Sequence, residues 1–159
     1  MTEQTALMTK IATGISGFDL IAEGGLPYGR TTLLSGTSGS AKTIFAAQFL
    51  AEGIQKFGHP GVFITLEESG EDIRCNLLSL GWDIASWEAE GKWIFVDASP
   101  MPGEQHIITG AYDFSGLLAR IKHAIDKIGA KRVVVDSLGA VFSQFPDSGT
   151  VRNEMHRIA

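Results

Sequence analysis

The stretch of sequence that decides the fold is Gly36-Thr37-Ser38-Gly39-Ser40-Ala41-Lys42-Thr43. A short β-rich run from Arg30 to Ser35 precedes it, and a helical period of apolar residues from Ile44 to Ile54 follows it. A glycine-rich loop that ends in Lys-Thr between a strand and a helix is typical of phosphate-binding loops. In such loops, backbone N–H groups and the positive end of the helix surround the phosphates. We therefore predict a nucleotide site here.

Within this loop, Lys42 and Thr43 carry the chemistry. Lys42 is expected to reach the β- and γ-phosphates of ATP, and the Thr43 hydroxyl is expected to bind Mg²⁺. The alternative, a merely flexible loop, leaves Lys-Thr without a purpose. Ala41 stands where the usual pattern has glycine, and its methyl group would cost about 1–2 kcal/mol if the backbone needs a positive φ. Gly39 is a second position where this strain could be relieved.

Downstream of the loop, apolar runs typical of buried strands alternate with helical periods. The strands are predicted at Gly61–Leu66, Trp93–Val96 and Arg132–Asp136, and the helices at 44–57, 69–80, 83–90 and 117–128. This alternation favours an α/β fold with an open, mostly parallel sheet and helices on both faces. In such sheets the ligand binds beyond the carboxyl ends of the strands.

Four acidic residues stand at the predicted strand ends. Asp136 is expected beside the phosphate loop, where it would bind Mg²⁺, and Asp97 could compete for that role. Nucleotide hydrolysis also needs a carboxylate that activates water, and Glu67 and Glu68 are the candidates. Adjacent strand residues point to opposite faces, so we favour Glu67, with Glu68 in support. The alternative is that these acids are hydrated surface groups.

Composition limits the class of protein. The 159 residues are 44% hydrophobic and 19% charged, as in an ordinary globular domain, and the net charge of −5 argues against a nucleic-acid partner. The single cysteine, Cys75, excludes an intramolecular disulfide, is predicted to be buried, and favours the cytoplasm. No membrane segment is expected. The three tryptophans are predicted to pack in the core, the four histidines lack metal-ligand spacing, and Lys131-Arg132 reads as a solvated strand entrance.

The two ends and one loop have weaker patterns. Residues 1–12 are predicted to be a flexible lead-in to a domain at 13–159, with a short helix at Ser16–Ile21. The loop from Ala98 to Asp113 is long enough to be a candidate partner surface. The chain stops inside the helical pattern of 151–158, so we expect a partial domain whose C-terminal part is missing.

The combined motifs resemble the KaiC family of RecA-like circadian-clock ATPases, in particular its N-terminal ATPase domain. The resemblance rests on Gly24-Gly25-Leu26-Pro27, Ser35 to Thr43, Pro60 to Glu68, Gly81-Trp82-Asp83, Val96 to Pro100 and Val135-Asp136-Ser137. It implies a RecA-like P-loop NTPase fold, nucleotide contacts from Gly39 to Thr43, Mg²⁺ at Thr43 and a base-contact zone near Ser79. It also supports Glu67 as the catalytic base.

The resemblance further implies slow ATP hydrolysis in a hexameric ring of identical subunits. It places contact with a KaiB-like protein at 102–118, whereas autokinase activity belongs to a second domain of the family and is not expected here. Two other hypotheses remain open. The chain could be a non-catalytic module that uses bound nucleotide to assemble or to bind a partner, or, ranked last, a relative of DNA recombinases.

Overall fold

The computed structural model describes residues 8–99, 114–137 and 139. Its elements, in chain order, are β1 (Lys10–Ile11), α1 (Phe18–Ile21), β2 (Leu26–Pro27), α2 (Lys42–Phe57), β3 (Gly61–Thr65), α3 (Gly70–Leu78), α4 (Ile84–Ala89), β4 (Trp93–Asp97), α5 (Phe114–Ile128) and β5 (Arg132–Asp136). The predicted strands and helices from residue 44 onward match these elements closely. The helical pattern at 151–158 and most of the loop at 98–113 lie outside the described residues.

The central sheet has the strand order β4-β3-β5, and both pairs are parallel. Thr65 at the end of β3 lies opposite Asp97 of β4 and Asp136 of β5. The three strands therefore end in one row. The polar residues that follow them share one edge of the sheet, as the sequence pattern predicts.

Two apolar cores cover the two faces of this sheet. Every residue of β3 is buried, and alternate side chains point to opposite faces. One core joins β3 and β4 to α5, through Val62, Ile64, Leu66, Val96, Leu117, Ile121 and Ala124. The other joins β3 and β4 to α2, α3 and α4, through Ala47, Leu50, Ile54, Phe63, Ile73, Leu77, Ile84 and Trp93. Trp82 and Trp87 pack against this second core, so the predicted packing role of the tryptophans is confirmed.

Helix α2 runs antiparallel to β3. It ends at Gly58, whose φ of 62° gives a left-handed C-cap, and β3 begins at Gly61, only three residues later. Gly61 lies against the side chain of Leu50, and α2 packs along both β3 and β5. The start of α2 therefore points to the carboxyl edge of the sheet.

The predicted strand at Arg30–Ser35 is wrong for the described structure. Residues 31–37 have no regular secondary structure, and Leu33 and Leu34 are exposed. A β-rich run becomes a strand only where its N–H and C=O groups meet those of a neighbouring strand. Among the described residues none pairs with this run, so propensity alone does not make it a strand.

The predicted lead-in is also partly wrong. Lys10–Ile11 form β1, which pairs antiparallel with Leu26–Pro27. Lys10 Nζ donates hydrogen bonds to the carbonyls of Ala22 and Glu23, at 2.6 and 3.1 Å. This strand is too short to show a period in the sequence. These contacts hold residues 10–11 against the turn before the phosphate loop.

Arg132 is not solvated at the strand entrance, as its sequence position suggests, but is 2% exposed. Its guanidinium donates to the carbonyl oxygens of Thr13 and Phe49, at 3.0 and 2.8 Å, and of Ala12, at 2.7 Å. It also lies over the rings of Phe49 and Phe57. Burial of a charged group is tolerated because these carbonyls replace water. Arg132 thus joins the N-terminal segment to α2 and β5.

Cys75 is exposed, so its predicted burial is wrong. Helix α3 turns Ile73 and Leu77, four residues apart, into the core. Residues two positions apart on a helix do not share a face, so Cys75 lies away from that apolar stripe.

Candidate functional site

The phosphate loop is exposed and folded on itself. Residues 36–41 are all exposed, whereas Lys42 and Thr43 are half-buried at the start of α2. Lys42 Nζ donates to the carbonyl oxygen of Thr37, at 2.8 Å, and the N–H of Ser40 donates to the same oxygen, at 3.2 Å. Gly39 has a φ of 77°, which favours glycine. The lysine ammonium therefore lies over the loop whose amides are expected to hold the phosphates.

Ala41 is the N-cap of α2 and has a left-handed backbone, with φ 60° and ψ 29°. The sequence indicates that Ala41 would be strained if its backbone needs a positive φ. In the structure both Gly39 and Ala41 have a positive φ, so the alanine carries this strain. No side chain caps the start of α2. The first N–H groups of a helix have no partner within it, so they carry partial positive charge toward the loop.

The carboxyl edge of the sheet brings Glu67 and Ser137 together. The Ser137 hydroxyl donates to Glu67 Oε1 at 2.7 Å, across 70 residues of sequence. The N–H of Leu66 donates to the carbonyl oxygen of Asp136, at 2.8 Å, which fixes these two strand ends side by side. Asp136, half-buried, therefore lies next to the segment that carries Glu67.

Glu67 and Glu68 are both exposed, but their surroundings differ. Only Glu67 receives the hydrogen bond from Ser137, whereas Glu68 is held by its backbone, because Thr65 Oγ1 donates to its carbonyl oxygen at 2.5 Å. Ser137 was not singled out from the sequence. The available signal was its place directly after Asp136, beside the strand that precedes Glu67.

Both carboxylate oxygens of Asp97 accept hydrogen bonds from the protein, unlike those expected of a metal ligand. Its Oδ2 accepts a hydrogen bond from the N–H of Gly70, at 2.7 Å, and its Oδ1 accepts from the N–H and the hydroxyl of Ser99, at 2.9 and 2.5 Å. Partial burial raises the pKa of the Asp97 carboxyl, but these hydrogen bonds outweigh it and hold the pKa below its ordinary value. Among the two strand-end aspartates, Asp136 is thus the one whose carboxylate has no such partners in the described residues.

Glu67 and Asp136 lie at one edge of the sheet, and not all the predicted site residues are in contact. The antiparallel course of α2 directs Lys42 and Thr43 toward the edge where Glu67 and Asp136 lie. No hydrogen bond or ion pair joins these two groups within residues 8–99, 114–137 and 139. Ser79 is exposed just after α3, and its hydroxyl donates to the carbonyl oxygen of Asn76, at 2.6 Å.

A family model described as "ATPase: KaiC" matches residues 11–159 of the chain. The chain belongs to the KaiC ATPase family. It is 55% identical over 157 residues to circadian clock protein KaiC3 of Synechocystis sp., covering 99% of this chain and 31% of that protein. It is 52% identical to the circadian clock oscillator protein KaiC of Thermostichus vulcanus, covering 99% and 30%, and 50% identical to that of Synechococcus elongatus, covering 95% and 29%.

The chain therefore spans about a third of the length of these curated relatives. Membership in the KaiC family confirms the resemblance and the predicted α/β, RecA-like fold, and the parallel β4-β3-β5 sheet is consistent with it. It makes the chain a homologue of circadian clock ATPases. None of the helices described has both the length and the apolar character to cross a membrane.

Proposed function

We propose that this KaiC-family chain binds ATP in the loop Gly36–Thr43 and hydrolyses it slowly. The observation that carries the proposal is the start of α2, which has no side-chain cap, follows a left-handed Ala41 and has Lys42 folded over the loop. An anion is the natural partner of such a helix start. A triphosphate would replace the Thr37 carbonyl as the partner of the Lys42 ammonium.

The donor set at this edge fits Mg²⁺, because that ion prefers oxygen ligands and combines few protein groups with phosphates and water. The Thr43 hydroxyl and the Asp136 carboxylate are the residues that would hold it, Asp136 directly or through water. When bound, the ion supplies neutralisation of the charge on the β- and γ-phosphates. The protein's own residues position the triphosphate and the water.

Glu67 is the proposed base that orients and activates the attacking water. The hydroxyl of Ser137 supports this choice over Glu68, because it fixes one carboxylate oxygen of Glu67 and leaves Oε2 for water. Charge stabilisation from a neighbouring subunit would complete the site, which accounts for slow turnover by an isolated subunit.

The first test compares Lys42→Ala with Lys92→Ala in the natural protein that contains residues 1–159. Lys92 is a matched control, because it pairs only with Glu90 among the described residues. ATP affinity by calorimetry and phosphate release should fall by about 100-fold or more in Lys42→Ala. Equal binding and hydrolysis in the two variants would refute the proposed site.

The second test compares Glu67→Gln with Glu68→Gln. These acids are adjacent and both exposed, so the pair isolates the effect of position. Glu67→Gln should reduce kcat by about 100-fold with ATP affinity nearly unchanged, because the general base is lost. Glu68→Gln should change kcat only a few-fold. If Glu68→Gln lowers kcat more than Glu67→Gln does, Glu68 is the base and Glu67 the supporting acid.

The proposal also includes nucleotide-dependent assembly into a homohexameric ring, a cytoplasmic location, and a role in a circadian clock or a related signalling system. Contact with a KaiB-like protein is proposed at 102–118, of which residues 102–113 lie outside the described structure. Sizing with and without ATP should show larger assemblies that Lys42→Ala abolishes. ATP-dependent assembly without phosphate release would instead select the non-catalytic module.

A further inference from the structure

Asp97 connects three segments that are distant in sequence. Its carboxylate accepts from the N–H of Gly70 at the start of α3 and from Ser99 just beyond β4. Its carbonyl oxygen accepts from Arg120 of α5, at 2.6 Å. A single residue thus ties the end of β4 to helices on both faces of the sheet.

The tie to α3 acts on the segment that carries the proposed base. Glu67 precedes Gly70 by three residues, and hydrogen bonds hold the backbone on both sides of it. Leu66 is bound to Asp136, Thr65 holds Glu68, and Asp97 holds Gly70. Gly70 is buried, and a Cβ there would lie 3.4 Å from Asp97 Oδ2, so the two residues are in close contact.

We infer that Asp97 is a positioning residue for hydrolysis: its carboxylate anchors the start of α3 and thereby places Glu67 against Ser137. This inference rests on the proposed function of Glu67. A hydrogen bond to a charged acceptor is stronger than one between neutral groups, which suits a fixed anchor. The pKa of the Asp97 carboxyl lies below its ordinary value, which is itself far below neutral pH, so this acceptor is charged.

The alternative is that Asp97 is an ordinary helix cap with no influence on the site. Asp83 provides the matched control, because it caps α4 with the same chemistry. Asp83 Oδ1 accepts from the N–H of Ser86 and Oδ2 from its hydroxyl, at 3.1 and 2.7 Å. The segment that carries Glu67 leads into α3 and not into α4.

The experiment compares Asp97→Asn with Asp83→Asn in the natural protein that contains this chain. Asp97→Asn should lower kcat for ATP hydrolysis by about tenfold while KM stays within about twofold, the split expected for a group needed only at the chemical step. Asp83→Asn should leave both unchanged. An Asp97→Asn variant with wild-type kcat overturns the inference, as does one in which KM alone changes.

A second pair of variants removes the hydrogen bond from the other side. Gly70 is the first residue of α3, and Ser69 before it has φ −66° and ψ 147°, a backbone that accepts a following proline. Gly70→Pro removes the N–H, whereas Gly70→Ala retains it. We expect the proline variant to reproduce the roughly tenfold loss of kcat and the alanine variant to stay near wild type. Equal kcat in both would contradict the role of this hydrogen bond.

Amide hydrogen exchange separates this inference from the proposed function. Asp97→Asn should accelerate exchange at residues 70–72, and Asp83→Asn should not. If Glu67→Gln hydrolyses ATP normally, the proposed base is wrong, yet exchange at 70–72 still reports whether Asp97 anchors α3. If exchange at 70–72 is unchanged in Asp97→Asn, the anchor itself is refuted.

Discussion

Helices α2 and α3 both start toward the carboxyl edge of the sheet, but only the first N–H groups of α3 have side-chain acceptors. At the start of α3, Ser69 Oγ accepts from the N–H of Asp72 and Asp97 accepts from that of Gly70. At the start of α2, the N-cap is Ala41 and no side chain accepts. The start of α3 is therefore capped from within the chain. The start of α2 has no such side-chain acceptor and lies beside Lys42, so it is suited to an external anion.

The largest effect is expected from giving α2 an internal negative charge. Ala41→Asp places a carboxylate where the phosphates are expected, and asparagine in Ala41→Asn has the same shape without the charge. Both residues tolerate a left-handed backbone. ATP affinity, measured by calorimetry, should be on the order of 100-fold weaker in the aspartate variant than in the asparagine variant. Equal affinity would mean that the phosphates lie elsewhere.

Ser137→Ala tests the base at the same edge. Loss of a hydrogen bond to a charged group should lower kcat by about tenfold, with ATP affinity unchanged. Ser86→Ala is the control, because its hydroxyl also donates to a carboxylate, that of Asp83, away from the proposed site. Single-turnover phosphate release in the two variants checks this prediction. Unchanged rates in Ser137→Ala would remove the structural reason for preferring Glu67 over Glu68.

A smaller effect is expected from uncapping α3. Ser69→Ala removes the acceptor for the N–H of Asp72 and should reduce the free energy of unfolding by about 1 kcal/mol. Urea unfolding followed by circular dichroism measures this change. Ser69→Asp, which restores a cap, should recover most of the loss. Failure of this rescue would show that the hydroxyl acts through something other than capping.

The smallest effect is expected from relieving the strain in α2. Ala41→Gly removes the strain of a left-handed alanine, which costs about 1–2 kcal/mol. Glycine also makes the unfolded chain more flexible, which lowers the free energy of unfolding by about 0.4–1 kcal/mol. A net gain of about 0.5 kcal/mol in the free energy of unfolding should remain. Ala119→Gly, at an exposed position inside α5, should lose about 1 kcal/mol instead. Urea unfolding of the two variants should therefore show changes of opposite sign in the free energy of unfolding.

Several elements could be predicted because local signals and tertiary packing agree. Ser69 and Asp72 are three residues apart, a spacing typical of a helix N-cap, and Ser69 caps α3. Gly58 is a typical helix-ending residue, and it ends α2 with a positive φ. The run that forms β3 is apolar at nearly every position, so the burial of both of its faces could be predicted. The places of Lys42 at the start of α2 and of Glu67 just after β3 could be predicted because both elements have strong patterns. The roles of these two residues stay predictions.

The remaining features depend on contacts that a local pattern cannot show. The run Arg30–Ser35 has the propensity of a strand but needs a neighbour. Arg132 is charged, and its burial depends on the carbonyls of Ala12, Thr13 and Phe49, which belong to other segments. The pairing of Ser137 with Glu67 likewise exists only because β3 and β5 are adjacent.

The contacts of Arg132 also bear on the order in which the chain assembles. Its guanidinium reaches carbonyls 119 and 120 residues earlier in the sequence. Contacts of such long range form slowly, and a ribosome adds only about 5–20 residues per second. The hydrogen bonds between Arg132 and the carbonyls of Ala12 and Thr13 cannot form until Arg132 has emerged. We therefore expect the segment at 12–13 to gain its full protection late in pulse-labelled refolding.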